Sequence, residues 1–96
     1  LPIYTIPPEI IPVNKNQWGR NGKIVYRLKD QGAGIASYRG TIDGKYALFG
    51  RPNIVKSYWE CVLDPKHVKK GGKHTVEFTV TDGCGNETIA RESFVW

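Results

Sequence analysis

Lys73-His74-Thr75-Val76-Glu77-Phe78-Thr79-Val80-Thr81-Asp82-Gly83-Cys84-Gly85-Asn86 is the stretch whose reading decides the fold. Val76, Phe78 and Val80 recur at every second position, while Thr75, Glu77, Thr79 and Thr81 fill the places between. Successive side chains of a strand point to opposite faces, so the alternation describes an antiparallel strand with one buried and one wet side. The glycines and Asn86 that follow supply a tight turn, with Asp82 closing it through its own loop amides. Glu87 to Val95 then returns as the partner strand.

The same pattern extends upstream. Ile24, Tyr26 and Leu28 alternate with Val25, Arg27 and Lys29 after Asn21-Gly22, and with Val76, Phe78 and Val80 they form the expected core. Ile10, Ile11 and Val13 give a short edge strand, followed by a polar turn over Asn14 to Gln17. Asp30, Gly32 and Gly34 form a loop in which glycine permits positive φ and Asp30 accepts from backbone amides. Ile35 to Asp43 is a third strand with Tyr38 and Ile42 on one face, and Gly40 within it predicts a bulge or a close approach. Asp43-Gly44 signals a two-residue hairpin, because both central residues of a type I′ turn take positive φ. Lys45 to Gly50 pairs back as the fourth strand, and Ile54 to Leu63 is the fifth, beyond the break at Arg51-Pro52-Asn53. One helical turn is predicted near 64–70, capped by Asp64, opened by Pro65 and closed by Gly71-Gly72. Seven strands at this turn spacing predict an all-β, antiparallel sandwich of immunoglobulin-like or fibronectin type, with a small barrel as the alternative.

Residues 1–8 carry Pro2, Pro7 and Pro8 and read as an extended linker from an upstream domain, leaving 9–96 as the sandwich. The chain opens on Leu1 and contains no Met, which predicts an excised or processed segment. No apolar run approaches the roughly 18 residues of a membrane span, so no membrane insertion is expected. Fourteen Lys and Arg against nine Asp and Glu give +5, and the excess gathers at Lys66, Lys69, Lys70 and Lys73, beside His67 and His74. Such a turn creates a local positive potential suited to an anionic polymer or simply to solvent. No RNA-binding motif or zinc-finger spacing accompanies it, so nucleic acid is not expected as a partner.

Candidate chemistry is sparse. Neither His67 nor His74 has a Ser, Cys or carboxylate at a spacing that implies a nucleophile or general base. Cys61 shares the face of Trp59 and Leu63 and reads as a buried thiol, and spacing leaves open whether it is bridged to Cys84 in the Asp82–Asn86 turn. Asp30 and Asp82 open two loops that can share one pole, but two carboxylates fall short of the roughly six to eight oxygens a calcium ion takes. They read as turn closures together with Gly85 and Asn86. No cofactor is expected. Trp18, Trp59, Trp96, Tyr38, Tyr46 and Tyr58 are the rings that a sugar or protein partner would use. Tyr58 and Trp59 are neighbours on one strand and face opposite ways, so only one of them is core. Trp18, Tyr58, Trp59, Lys66, Lys69 and Lys70 are therefore the candidate partner contacts.

At Ile24 to Asp30, at Gly34 to Phe49 and at Leu63 to Asn86, the chain resembles bacterial immunoglobulin-like domains. More narrowly, it is similar to the C-terminal β-sandwich that follows the catalytic domain in some lysostaphin-type zinc peptidoglycan endopeptidases of Bacteroides-like bacteria. The resemblance implies a non-enzymatic accessory module of the cell envelope, periplasmic or secreted, that positions an upstream hydrolase. Its expected partners are that upstream domain and peptidoglycan or another envelope polymer. The zinc-binding His-x-x-x-Asp and His-x-His patterns of the catalytic domain are absent, since Gly71 stands four residues after His67 and Val76 two after His74. A carbohydrate-binding module and an adhesion or protein-interaction domain are the competing expectations.

Overall fold

The computed structural model describes residues 6–30, 32, 34–51 and 57–96. In chain order the strands are β1 (Glu9–Pro12), β2 (Lys23–Lys29), β3 (Ile35–Ile42), β4 (Lys45–Ala47), β5 (Tyr58–Val62), β6 (Lys73–Asp82) and β7 (Glu87–Val95). One short helix, α1 (Trp18–Asn21), follows a 3-10 turn at Lys15–Gln17. Every pairing is antiparallel. One sheet has the order β1-β2-β5 and the other β4-β3-β6-β7, so the chain changes sheets after β2, after β4 and after β5. The result is an all-β, sandwich-like fold, and no helix among the described residues is long and apolar enough to cross a membrane.

The alternation in β2 and β6 produces the core. Ile24, Tyr26 and Leu28 from one sheet and Val76, Phe78 and Val80 from the other are all buried. The Tyr26 and Phe78 rings stack across the interior, 5.2 Å apart and 5° from parallel. Phe78 pairs with Gly40 on one side and Ala90 on the other, and the missing side chain at Gly40 admits Phe49, whose ring centroid lies 4.6 Å from that of Phe78. A Cβ on Gly40 would fall 2.2 Å from the Phe49 ring, so this glycine marks a close approach. The irregularity in β3 lies instead between Ile35 and Ser37, where the register with β6 shifts.

Several elements differ from the sequence expectation. The short helix occurs at Trp18–Asn21, between the polar turn expected over Asn14 to Gln17 and the turn expected at Asn21-Gly22, where no helix was expected. Three contacts hold it there. Trp18 is buried, its indole N–H donates to the Val13 carbonyl at 2.8 Å, and Gly22 ends the helix in the left-handed region at φ 68°. Around 64–70 there is a hydrogen-bonded turn rather than a helix. The Asp64 carbonyl accepts from the His67 and Val68 amides at 2.9 Å, and the Asp64 carboxylate accepts from the Lys66 amide. Val68 then enters the core. β4 ends at Ala47 rather than Gly50, because Gly50 crosses over to pair with Glu60 of β5. Residues 52–56, which hold Pro52 and Asn53 of the expected break and the first residues of the expected fifth strand, and residues 1–5 of the expected linker lie outside the described residues. Pro8, the last expected linker residue, is buried, and its carbonyl accepts from the Thr88 hydroxyl at 2.5 Å.

Candidate functional site

The edge strands β4 and β5 belong to different sheets and border the same side of the molecule. After the Asp43-Gly44 hairpin, β4 runs for three residues before Phe49 turns inward and Gly50 exchanges two 2.8 Å backbone hydrogen bonds with Glu60. Between the strands lies a cleft of about 690 Å³. Buried Ile42, Cys61 and Val68 contribute to its apolar wall. Around it stand Tyr46, Leu48 and Val62, which are 65, 74 and 73% exposed, a high exposure for side chains of this polarity. Lys45, Arg51, Glu60, Asp64 and His67 add polar groups to the lining.

Burial pushes the Cys61 thiol up to about 11, so it stays protonated and lines the cleft as a small apolar group. Glu60 pairs with Lys23 at 3.4 Å. One end of β4 is fixed by the hairpin, whose Asp43 and Gly44 have φ of 52° and 82°, the two positive values of a type I′ turn. Asp43 also clamps the hairpin to β6. Its Oδ2 lies 2.6 Å from His74 Nδ1, its Oδ1 accepts from the Thr75 amide at 2.9 Å, and its own N–H donates to the Thr75 carbonyl. The His74 hydrogen bond holds the Asp43 carboxyl below the ordinary carboxylate range against the opposing effect of burial, helped by the Thr75 amide and by the charges of His74 and Lys45. A carboxylate only accepts, so His74 carries its proton on Nδ1, and the ring is buried against Phe94 with centroids 5.5 Å apart.

The pole holding Asp30 and Asp82 is organised for closure. The two loops meet where the Gly83 amide donates to the Gly34 carbonyl at 3.0 Å. Asp30 accepts from the Gly32 amide at 3.1 Å and from the Gly34 amide. Asp82 accepts from the Cys84 and Asn86 amides at 2.9 and 2.8 Å and from the Asn86 side chain at 2.9 Å. Burial pushes the Asp82 carboxyl up, but the hydrogen bonds from Asn86, Cys84 and Gly85 together outweigh it and leave it below the ordinary range. Gly85 takes φ 86°. Among the described residues, no group of three His, Cys, Asp or Glu side chains is placed to hold a metal ion. Cys61 and Cys84 are both free, the first buried and the second exposed on this turn.

The expected contact residues scatter. Trp18 is only 1% exposed and Trp59 4%, so both rings belong to the core and leave any surface platform. The Arg51 guanidinium covers the Trp59 ring at 4.9 Å. Tyr58 is the half-buried, outward member of its pair. Lys66, Lys69 and Lys70 are exposed on the segment that follows β5, with Lys70 Nζ 5.6 Å above the Trp96 ring. Of the other rings considered, Tyr46 alone lines the cleft. Leu48 and Val62 were not anticipated, although strand parity places Leu48 opposite buried Phe49 and Val62 opposite buried Cys61 and Leu63. Comparison with known protein families, with curated proteins and with solved structures finds no match.

Proposed function

We propose that this chain is a non-catalytic, immunoglobulin-like accessory module of an exported cell-envelope protein, serving to position an upstream peptidoglycan hydrolase through protein contact. The strand order β1-β2-β5 facing β4-β3-β6-β7 fits a seven-stranded sandwich of the fibronectin variety, with its sheet changes between consecutive strands. The observation that carries the functional reading is the cleft between β4 and β5, where Tyr46, Leu48 and Val62 present apolar surface to a partner. A rigid two-sheet scaffold fixes the direction of that surface, and loops and edges can change without disturbing the core.

Sugar stacking is less favoured, because Trp18 and Trp59 are spent on the interior and the remaining exposed rings do not gather into one platform. The reading is tested on a polypeptide that carries this module behind a hydrolase domain, compared with the same polypeptide lacking residues 9–96. Removal is expected to leave cleavage of a small soluble peptide intact while lowering cleavage of whole walls. Equal loss on both substrates, or no loss on either, overturns it. A salt series on purified peptidoglycan separates wall contact through the basic turn, which salt screens, from contact through apolar groups.

A further inference from the structure

We propose that the cleft between β4 and β5 receives an extended protein segment of alternating apolar and acidic side chains, which adds to the outer edge of β4 as a further strand. This deepens the reading of the chain as a protein-contact module and rests on it. Three observations converge on that occupant.

The first is the state of the edge. Ile42 and Lys45 flank the two-residue turn and form the hydrogen-bonded pair of the hairpin, so Thr41 and Tyr46 form the next, non-bonded pair. The Tyr46 amide and carbonyl therefore point away from β3 into the space beside β4, and they have no backbone partner among the described residues. Across the cleft, Glu60 turns its amide and carbonyl outward to Gly50, so Val62, two residues on, faces the same way. Backbone groups of this kind are the template for strand addition, which supplies affinity through the main chain and specificity through alternate side chains.

The second is the apolar surface beside those groups. Tyr46, Leu48 and Val62 are each at least 65% exposed, next to the buried side chains of Ile42, Cys61 and Val68. Every second side chain of an added strand would meet the face of Tyr46 and Leu48, and those between would lie on the face of Ile42 and Lys45. A hydrated polysaccharide offers no such alternation.

The third is charge. Lys45 lies in the cleft lining, and Lys66 and Lys69 flank His67 and Val68, which also line it. None of these three lysines is in an ion pair among the described residues. Of the two carboxylates of the lining, Glu60 is paired with Lys23, while Asp64 accepts from the Lys66 amide and keeps its charge, so Lys45, Lys66 and Lys69 outnumber it. The field over the cleft is therefore positive, and it selects acidic side chains in the positions that alternate with the apolar ones.

Short synthetic peptides in which Val alternates with Glu, their counterparts with Lys in place of Glu, and soluble peptidoglycan fragments serve as probes against the isotope-labelled chain. The Val-Glu peptide is expected to shift amide resonances of β4, β5 and 64–68, and to slow solvent exchange of the Tyr46 amide. The Val-Lys peptide is expected to bind about tenfold more weakly, and Lys45→Glu to reverse that order. Tyr46→Pro removes the outward N–H from an edge position where proline is tolerated, and it should abolish binding while leaving the remaining spectrum folded. Should that variant unfold, Lys45→Glu carries the test. Shifts confined to the lysine-rich turn, without Tyr46 protection and abolished by salt, reduce the surface to a polyanion contact and overturn the proposal. Binding of the peptidoglycan fragments alone overturns it, as does concentration-dependent protection of Tyr46 without peptide, which would assign the edge to a second copy. If no peptide binds while removal of the module still impairs wall cleavage, strand addition is wrong and the accessory role stands.

Discussion

The four-stranded sheet ends in two edge strands, β7 and β4, and the chain finishes them in opposite ways. Along β7 the exposed length is policed. The Thr88 hydroxyl is tied to Pro8, Glu92 pairs with Lys15 at 3.0 Å, and α1 lays Gly19 against the Val95 carbonyl. Beyond the strand, the Trp96 carbonyl accepts from the Gly71 and Gly72 amides. Along β4 the protections among the described residues are brevity and the charge of Lys45, while Tyr46 and Leu48 are exposed. An uncovered edge is a hazard unless it is short, charged or used. The contrast indicates that helix formation at Trp18–Asn21 closes one edge and leaves the other open for the partner proposed above.

The largest test of this contrast removes the anchor of the closed edge. Trp18 is buried edge-on to Tyr26 and Phe94, with centroids at 5.3 and 6.1 Å. Trp18→Ala is expected to cost about 3–5 kcal/mol in denaturant unfolding, in line with large aromatic deletions. A loss below about 1 kcal/mol would mean that α1 is an ornament on the sandwich. Next in size is Gly19→Ala. The added Cβ would lie 2.0 Å from the Val95 carbonyl oxygen, a backbone atom that cannot swing aside, so α1 must lift from β7. We expect a cost of about 1–3 kcal/mol and faster amide exchange along β7, with β4 unaffected. Uniform acceleration in both strands would show that the two edges are not independent.

The two edges also differ in how far the sequence discloses them. The period-two runs Ile24-Tyr26-Leu28 and Val76-Phe78-Val80 state their burial directly, and the Asp43-Gly44 pair states its hairpin, because these depend on neighbours in sequence. Trp18 does not. It stands in a polar stretch without periodicity, and its burial comes from Tyr26 and Phe94, which only the completed fold brings to it. His74 shares parity with Val76, so its inward position was legible, but its partner Asp43 lies 31 residues away. The cleft was hidden for a similar reason. It arises because β4 stops at Ala47 and Gly50 joins the other sheet, a crossing that composition does not announce. Leu48 and Val62 could have been flagged by parity alone, as apolar residues beside a buried neighbour.

A smaller effect follows from acid. Asp43 fastens the β3–β4 hairpin, and its carboxyl is held below the ordinary range chiefly by the His74 hydrogen bond. A carboxyl whose folded value is lowered takes up protons more readily in the unfolded chain, so stability rises with pH across that interval. The contribution is complete above the ordinary value of about 3.9 and is lost as pH falls through the folded value. Denaturation midpoints measured from neutral pH down into that window should decline for the native chain and decline less steeply for Asp43→Asn. Asp82 titrates in the same direction, which leaves a residual slope in the variant. Equal slopes would remove the clamp from the account of the β4 edge.

The smallest expected change in stability falls on the open side, and there its smallness is the test. Leu48 is 74% exposed and Val62 73%, so neither contributes appreciable burial to the isolated chain. Leu48→Ser and Val62→Thr should each move the unfolding free energy by no more than about 0.5 kcal/mol. If the surface exists for folding, these substitutions cost more than that. If it exists for a partner, stability is unchanged while cleavage of intact walls by the longer polypeptide falls to the level seen when the module is deleted. A serine at position 48 keeps the backbone and the charge of the edge and removes only apolar surface. Loss of function without loss of fold would therefore assign the exposed leucine to recognition.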